Sequence, residues 1–210
     1  MAVSRRVPVC RSALVTAIRI GHYACVEWKP PEPALQSDEV VLRLLRLDDA
    51  PAVVEACRDP AIGRFTFMKE GLTLDEARRW IDDANSRWSV GVPRFAVADA
   101  RSSRFLGQVG MAVCEPYQSA EMFYWVSQPD RRRGVASTCL TLVCDWAFAN
   151  GIERAYLLVH PENEASHRVA ARCGFTREGT LRAYQRFKGG RPDMVSWSRL
   201  RTDTRSLRNE

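Results

Sequence analysis

The chain has 210 residues, of which 46% are hydrophobic and 27% are charged, as expected for one globular domain. This composition argues against a disordered chain, a collagen-like repeat and a protein that crosses a membrane several times. The formal net charge of +6 comes from residues 1–34 and 176–210, whereas the stretch between them is close to neutral. A polyanionic ligand would suit this distribution. Basic surface is usually only solvated, however, so nucleic acid is not the expected partner.

The cysteines and the amino terminus indicate the compartment. The seven cysteines form no Cys-x-x-Cys pair and do not cluster with the three histidines, a pattern typical of reduced cytoplasmic proteins without a zinc site. The apolar run between Arg11 and Arg19 is too short for a membrane span or a secretory signal. We therefore expect a cytoplasmic protein without metal or membrane partner. Residues 1–37 are interpreted as a poorly ordered extension, 38–203 as the domain and 204–210 as a tail.

The first predicted elements are a strand and two helices. Residues 40–47 form a strand-like apolar run. Asp48 and Asp49, with an aspartate as N-cap and Pro51 in the first turn, begin a helix that ends near residue 58. Thr73 and Glu76 form a capping box, because each side chain can bond the backbone N–H of the other, and the second helix extends to about residue 88.

Six strands and two further helices are predicted after residue 90. In chain order they are strands 94–98, 105–113 and 121–126, helix 134–150, strand 155–159, helix 163–173, and strands 180–187 and 194–200 joined by a turn at 188–191. Short polar connections between the first three strands favour an antiparallel meander, and the β-α-β unit that follows favours one parallel crossover. The predicted fold class is a single α/β (α+β) domain with a mixed, mostly antiparallel sheet flanked by helices.

The pattern most typical of ligand binding follows strand 121–126. Arg131, Arg132 and Arg133 precede Gly134 and Ala136 where the long helix begins. A helix N-terminus has free N–H groups that attract anions, small residues allow close approach, and arginines add charge and donors. A pyrophosphate would fit there. The Walker loop and the Gly-x-Gly-x-x-Gly dinucleotide pattern are both absent.

These residues resemble the acetyl-CoA-binding signature, Gln/Arg-x-x-Gly-x-Gly/Ala, of the GNAT N-acetyltransferase family. The preceding strand 121–126, the motif Asn163-x-x-Ser166 and the motif Gly174-Phe-x-x-Glu-Gly179 agree with the family in order and spacing. The carboxyl-terminal motifs between residues 179 and 200 are similar to those of the subgroup that acetylates the N-termini of ribosomal proteins. The resemblance covers about residues 38–203.

The resemblance implies a V-shaped sheet that splays between strands 121–126 and 155–159, with acetyl-CoA in the opening. It places the pantetheine beside the first of these strands and the pyrophosphate at the amides of residues 133–138. Asn163 and Ser166 would lie near the pantetheine arm and the sulfur, and Asn163 can also be a helix N-cap. The cofactor-binding residues implied in this way are Trp125, Val126, Ser127, Arg131, Arg132, Arg133, Gly134, Val135, Ala136, Ser137, Thr138, Asn163 and Ser166.

The resemblance also implies direct acetyl transfer to a primary amine. Many family members use a tyrosine on the last helix as the proton donor for the thiolate, but the matching position is Ala170. Ser166 is the alternative donor, directly or through water, and can equally be a plain helix-surface serine. Glu121 is the candidate general base, with a salt bridge or a water ligand as its alternative role. Glu178 and Glu115 are the fallback bases.

The pKa values of amines indicate which kind of acceptor suits the site. An α-amine is about 10% neutral at pH 7, whereas a lysine side chain is below about 0.1% neutral. A site without an obvious strong base therefore suits an α-amine, in agreement with the subgroup, and a protein N-terminus is the predicted acceptor. The alternatives are a small-molecule amine (an antibiotic, polyamine or amino acid) and a non-catalytic protein that senses acyl-CoA or binds nucleic acid. A homodimer is compatible with the sequence.

Overall fold

A seven-stranded sheet is the central element of the computed structural model, which describes residues 28–203. Most of the predicted extension and the predicted tail lie outside the described residues. The strands are β1 (Val40–Arg43), β2 (Arg94–Asp99), β3 (Phe105–Cys114), β4 (Ser119–Val126), β5 (Arg154–Val159), β6 (Thr176–Leu181) and β7 (Met194–Leu200). The α-helices are α1 (Ala50–Ala56), α2 (Pro60–Phe65), α3 (Leu74–Ser86), α4 (Val135–Ala149) and α5 (Glu164–Arg172).

The strand order explains how the sheet opens. The order is β1-β2-β3-β4-β5-β7-β6, and every neighbouring pair is antiparallel except β4 and β5. β4 pairs with β3 along its whole length, but it pairs with β5 only from Ser119 to Glu121. The two parallel strands therefore diverge after Glu121. The predicted mixed sheet, its single parallel crossover and the flanking helices are confirmed.

The sheet separates the hydrophobic core into two clusters. Met122 and Val126 belong to the cluster that includes α4, and Tyr124 packs against it. Trp125 belongs to the other cluster, with α1 and α3. Alternate residues of a strand point to opposite faces, so Glu121 lies on the same face as Trp125. Trp28 is also buried in the first cluster, 5.1 Å from Trp146 between ring centroids, so residues before 38 contribute to the packed structure.

Local signals account for two helix starts. The capping box of α3 is confirmed, because Thr73 Oγ1 accepts from the Glu76 N–H and the Glu76 carboxylate accepts from the Thr73 N–H. Asp49 precedes α1, as predicted, but its side chain makes no capping bond. Its carboxylate instead accepts two hydrogen bonds of 2.7 Å from Arg43, which joins β1 to the start of the helix.

Two predicted strands had wrong bounds, and one helix was missed. β1 ends at residue 43 rather than 47, and α2, which begins after the N-cap Asp59, was not predicted. β6 spans 176–181 rather than 180–187. Lys188 and Gly189 do form a tight turn, with φ of 45° and 85°, but at the tip of a long loop, because contacts with the α2 region hold residues 182–193 away from the sheet. Within residues 28–203, no helix is long and apolar enough to cross a membrane.

Candidate active site

The divergence of β4 and β5 exposes backbone groups of β4. The Ser127 N–H bonds the Leu106 carbonyl of β3, and alternation along the strand then turns the Trp125 backbone toward β3 and the Tyr124 and Val126 backbones toward the opening. The Val126 carbonyl already accepts from Arg131 Nε at 3.0 Å. The Val126 N–H and the Tyr124 backbone therefore remain for a ligand lying in the opening.

Trp125 is a core residue. Its side chain is buried, and its Nε1 donates to Gln108 Oε1 at 2.9 Å. The Tyr124 and Trp125 side chains pack on opposite faces of the sheet, and of these two residues Tyr124 is the one whose backbone faces the opening.

The start of α4 presents backbone amides without intrahelical partners. The Thr138 N–H bonds back to the Gly134 carbonyl at 3.0 Å, so the amides of residues 134–137 precede the first intrahelical bond. Gly134 has a φ of 82°, which disfavours a side chain, and an added Cβ would meet nothing within 4 Å. The amide of Thr138, included in the sequence prediction, is engaged within the helix and is not a free donor.

The three arginines before Gly134 differ in their contacts. Arg131 pairs with Asp59, the N-cap of α2, in addition to the Val126 carbonyl. Arg133 is 3.1 Å from the buried Asp130, which also receives two hydrogen bonds from Arg104. Arg132 is exposed, with a φ of 62°. Arg131 and Asp130 therefore hold the loop in shape, and Arg132 and Arg133 present exposed positive charge beside the helix N-terminus.

The first turn of α5 carries the predicted Asn163 and Ser166. Asn163 is the N-cap, and its Oδ1 accepts from the Ser166 N–H at 3.1 Å. The N-cap role expected for Asn163 is thus present. Burial raises the pKa of Tyr124, and the Ser166 hydroxyl partly offsets this rise, so the two hydroxyls are neighbours across the gap between β4 and α5.

Glu121 lies where the strands part, opposite Tyr156 of β5. It makes no ion pair with any residue in the range 28–203, and burial raises the pKa of its carboxyl from 4.5 to about 7. Its charge in turn raises the pKa values of Tyr156 and Tyr184, after the larger effect of burial on each. Glu121 therefore titrates near neutral pH among phenol side chains.

The two fallback bases are placed differently. Glu178 receives hydrogen bonds of 2.8 and 2.5 Å from Arg154 and one of 2.9 Å from Ser196, and these lower its pKa to about 2. Such a stabilised carboxylate is a poor proton acceptor. Glu115 lies in the turn between β3 and β4, at the end of β4 away from the opening.

A long loop between β6 and β7 covers the face that carries Glu121. Lys188 Nζ donates to the carbonyls of Gly63 and Met68, and the Phe187 ring contacts Phe67 at 4.9 Å in an edge-to-face arrangement. Tyr184 brings the base of this loop within electrostatic range of Glu121. The loop and the α2 region thus form one wall on the side of the sheet opposite α4.

Sequence reasoning missed three tyrosines, Tyr124, Tyr156 and Tyr184. Tyr124 carried a signal, because it alternates with Met122 and Val126 on β4 and so had to share their face. Tyr156 and Tyr184 reach Glu121 only through strand pairing and loop placement, which no local pattern reveals. No group of three or more potential metal ligands occurs in the described part of the chain.

Comparisons with known proteins agree with this geometry. A family model described as an acetyltransferase (GNAT) domain matches residues 39–176. The uncharacterized N-acetyltransferase YoaA of Bacillus subtilis is 26% identical over 164 residues, covering 76% of this chain and 92% of the relative. A phosphinothricin N-acetyltransferase of Streptomyces coelicolor is 35% identical over 140 residues, which cover 63% of this chain and 78% of that relative. Mycobacterium smegmatis RimJ, solved with a CoA-disulfide, shares the fold with a TM-score of 0.69 at 24% identity. The match covers 77% of this chain and 81% of the RimJ chain.

The matched region contains each part of the site. It includes the open strand β4, the N-terminus of α4 with its free amides, and the first turn of α5. The small residues and free N–H groups at Gly134–Ser137 fit a pyrophosphate. The chain belongs to the GNAT acetyltransferase family and is an acetyl-CoA-dependent N-acetyltransferase.

Proposed function

We propose that the enzyme acetylates an α-amine, and that its acceptor is the N-terminus of a protein. The observation that carries this proposal is Glu121, a carboxyl without an ion-pair partner among the described residues and with a pKa of about 7. Proton transfer is most efficient when the pKa of the base lies near the working pH. Such a base suits an α-amine with a pKa near 7.7–8.0 and is a poor match for lysine near 10.4.

The proposed cofactor site uses the start of α4 and the open edge of β4. The amides of residues 134–137 would bind the pyrophosphate, with Arg132 and Arg133 adding positive charge. The Val126 N–H would pair with the pantetheine, and Asn163 and Ser166 would lie beside its end. Bound acetyl-CoA supplies the activated acetyl thioester.

The proposed catalytic residues lie at the two sides of the opening. Glu121 in its carboxylate form accepts the proton that the amine releases as the new C–N bond forms. The Ser166 hydroxyl donates a hydrogen bond to the sulfur as the C–S bond breaks, which stabilises the developing thiolate. The acceptor would approach along the wall formed by the loop 182–193 and the α2 region, on the face that carries Glu121.

A small-molecule amine is the second candidate acceptor. The observation that favours it is the 35% identity to a protein named phosphinothricin N-acetyltransferase, which exceeds the identity to RimJ. Glu121 would play the same part toward a small α-amine. A cytoplasmic location and a homodimer remain predictions of the sequence.

The test compares matched acceptors under saturating acetyl-CoA. One peptide carries a free α-amine and no lysine, its twin carries a blocked α-amine and one lysine, and a third set consists of free amino acids and polyamines. We expect kcat/KM to be highest for the α-amine peptide. Preference for the lysine peptide would overturn the α-amine proposal, and preference for free amino acids would replace the protein acceptor by a small molecule.

A further inference from the structure

The side chain of Tyr124 presents an unusual hydroxyl. Its oxygen is buried and makes no well-aligned hydrogen bond with any residue among 28–203, although the Ser166 hydroxyl is close enough to lower its pKa. The ring packs against the core cluster of α4, α5 and β5, so the phenol cannot swing out to solvent without leaving that packing. A buried hydroxyl without a partner is costly, and native proteins rarely keep one without a use.

The neighbours of this hydroxyl narrow its possible partners. Cys139 and Cys173 lie close enough to affect it electrostatically, but their S–H groups point to the Ala136 and Ser137 carbonyls at 3.3 and 3.4 Å. The remaining polar neighbour is the hydroxyl of Ser166. The Asn163 cap engages only the backbone N–H of Ser166, so the cap does not use the Ser166 hydroxyl.

The chemistry of the two hydroxyls is complementary. Burial raises the pKa of Tyr124, so its phenol keeps its proton at every working pH and acts as a donor. A serine hydroxyl that accepts a hydrogen bond at its oxygen has its own proton left to donate elsewhere. A chain of hydrogen bonds of this kind also polarises the terminal donor.

We propose that Tyr124 is a positioning residue that donates a hydrogen bond to the Ser166 oxygen and so directs the Ser166 proton toward the sulfur of acetyl-CoA. The phenol would act from the strand side of the gap, because the α5 position at which many family members carry a tyrosine is here the buried Ala170. Both hydroxyls keep their protons throughout. Tyr124 forms no covalent bond, and the thiolate is stabilised by hydrogen bonding alone. The inference rests on the proposed role of Ser166 and is independent of which amine is the acceptor.

The test uses the product, CoA, and requires no acceptor. Calorimetry measures the affinities of CoA and of S-methyl-CoA, which has no thiol proton, between about pH 6 and 9. The ratio of the CoA affinity to the S-methyl-CoA affinity is called the CoA ratio. A site that stabilises the thiolate makes the CoA ratio rise with pH, because more of the CoA is then ionised. We expect Tyr124→Phe to reduce the high-pH ratio about tenfold, the size expected for losing one hydrogen bond that supports a charge. Ser166→Ala should reduce it at least as much.

The double variant distinguishes positioning from an independent contact. If Tyr124 acts through Ser166, the double variant has the ratio of Ser166→Ala, whereas independent contacts would multiply the two losses and overturn the proposal. Retention of the wild-type ratio by either single variant would also overturn it. The matched control is Tyr117→Phe, at a tyrosine that is 70% exposed in the turn before β4.

Stability provides the second readout. Tyr124→Phe removes at most one hydrogen bond between two hydroxyls, worth about 1 kcal/mol, so the variant should melt within a few degrees of the wild type. A lower melting temperature with an unchanged CoA ratio would assign Tyr124 a structural role and refute the proposal. Failure of the peptide comparison would change the acceptor and leave this result unaffected.

Discussion

Replacing Glu121 by glutamine tests the electrostatics of the site. Burial raises the pKa of this carboxyl from 4.5 to about 7 in the folded protein. Between these two values the folded state binds more protons than the unfolded state, so the free energy of unfolding falls as the pH rises. At 1.36 kcal/mol per pKa unit, the full difference is up to about 3 kcal/mol, reached above pH 7. Glutamine carries no charge, so its burial does not incur the free-energy cost of burying a carboxylate.

Glu121→Gln should raise the stability of the protein and lower its activity. At pH 8 the variant should be more stable than the wild type by up to about 3 kcal/mol, and near pH 4.5 the two should be equal. Acetyl transfer should fall by about 10²-fold or more, and the rise of the wild-type rate through about pH 7 should disappear. Urea unfolding at both pH values and a pH–rate profile measure these effects. A variant that is less stable at pH 8, or fully active, would refute the reasoning.

Glu178→Gln is the matched control for this experiment. The Arg154 ion pair lowers the pKa of Glu178 to about 2, so its carboxylate stabilises the fold above the unfolded pKa and loses this effect as the pH falls. The same substitution at Glu178 should therefore destabilise the protein at pH 8, and the loss should shrink toward pH 3. Activity at a temperature well below the melting point should be retained.

Three further substitutions test the parts around the site. Asp130→Ala leaves Arg104 and Arg133 without their shared partner and should cost roughly 1–3 kcal/mol in urea unfolding, while weakening acetyl-CoA binding. An unchanged affinity would show that the loop keeps its shape without this carboxylate. Lys188→Met frees the loop 182–193 from the α2 region and should raise the KM of the acceptor but not that of acetyl-CoA, so an equal rise in both would contradict the assignment of this wall. Asn163→Ala removes the cap of α5 and should lower stability by about 1 kcal/mol, and full stability would contradict its capping role.

The features that could be predicted from sequence have local causes. The capping box at Thr73 and Glu76 and the glycine at the start of α4 act within one turn of chain, and short polar turns specify the antiparallel meander. The crossover through α4 follows from the need to join two parallel strands. These features identify the cofactor side of the enzyme.

The features that could not be predicted depend on distant contacts. The six-residue α2 is too short for a periodic pattern, and it is held by Arg131, which lies 72 residues away in the chain. β6 pairs seven residues before the turn that was expected to define it, because Lys188 binds the α2 region. The proximity of Tyr124 to Ser166 likewise requires the placement of α5 beside β4.

The most direct test of the account is thermal unfolding with and without saturating acetyl-CoA. Ligand at about 100 times its Kd adds roughly 2.7 kcal/mol, which should raise the melting temperature by roughly 5–10 °C in a domain of this size. Gly134→Asp should abolish this rise, because it places a carboxylate at the helix N-terminus. Gly151→Asp, at the other end of the same helix with a similar φ of 91°, should retain it. No rise in the folded wild-type protein, or an equal loss in both variants, would contradict the proposed cofactor site.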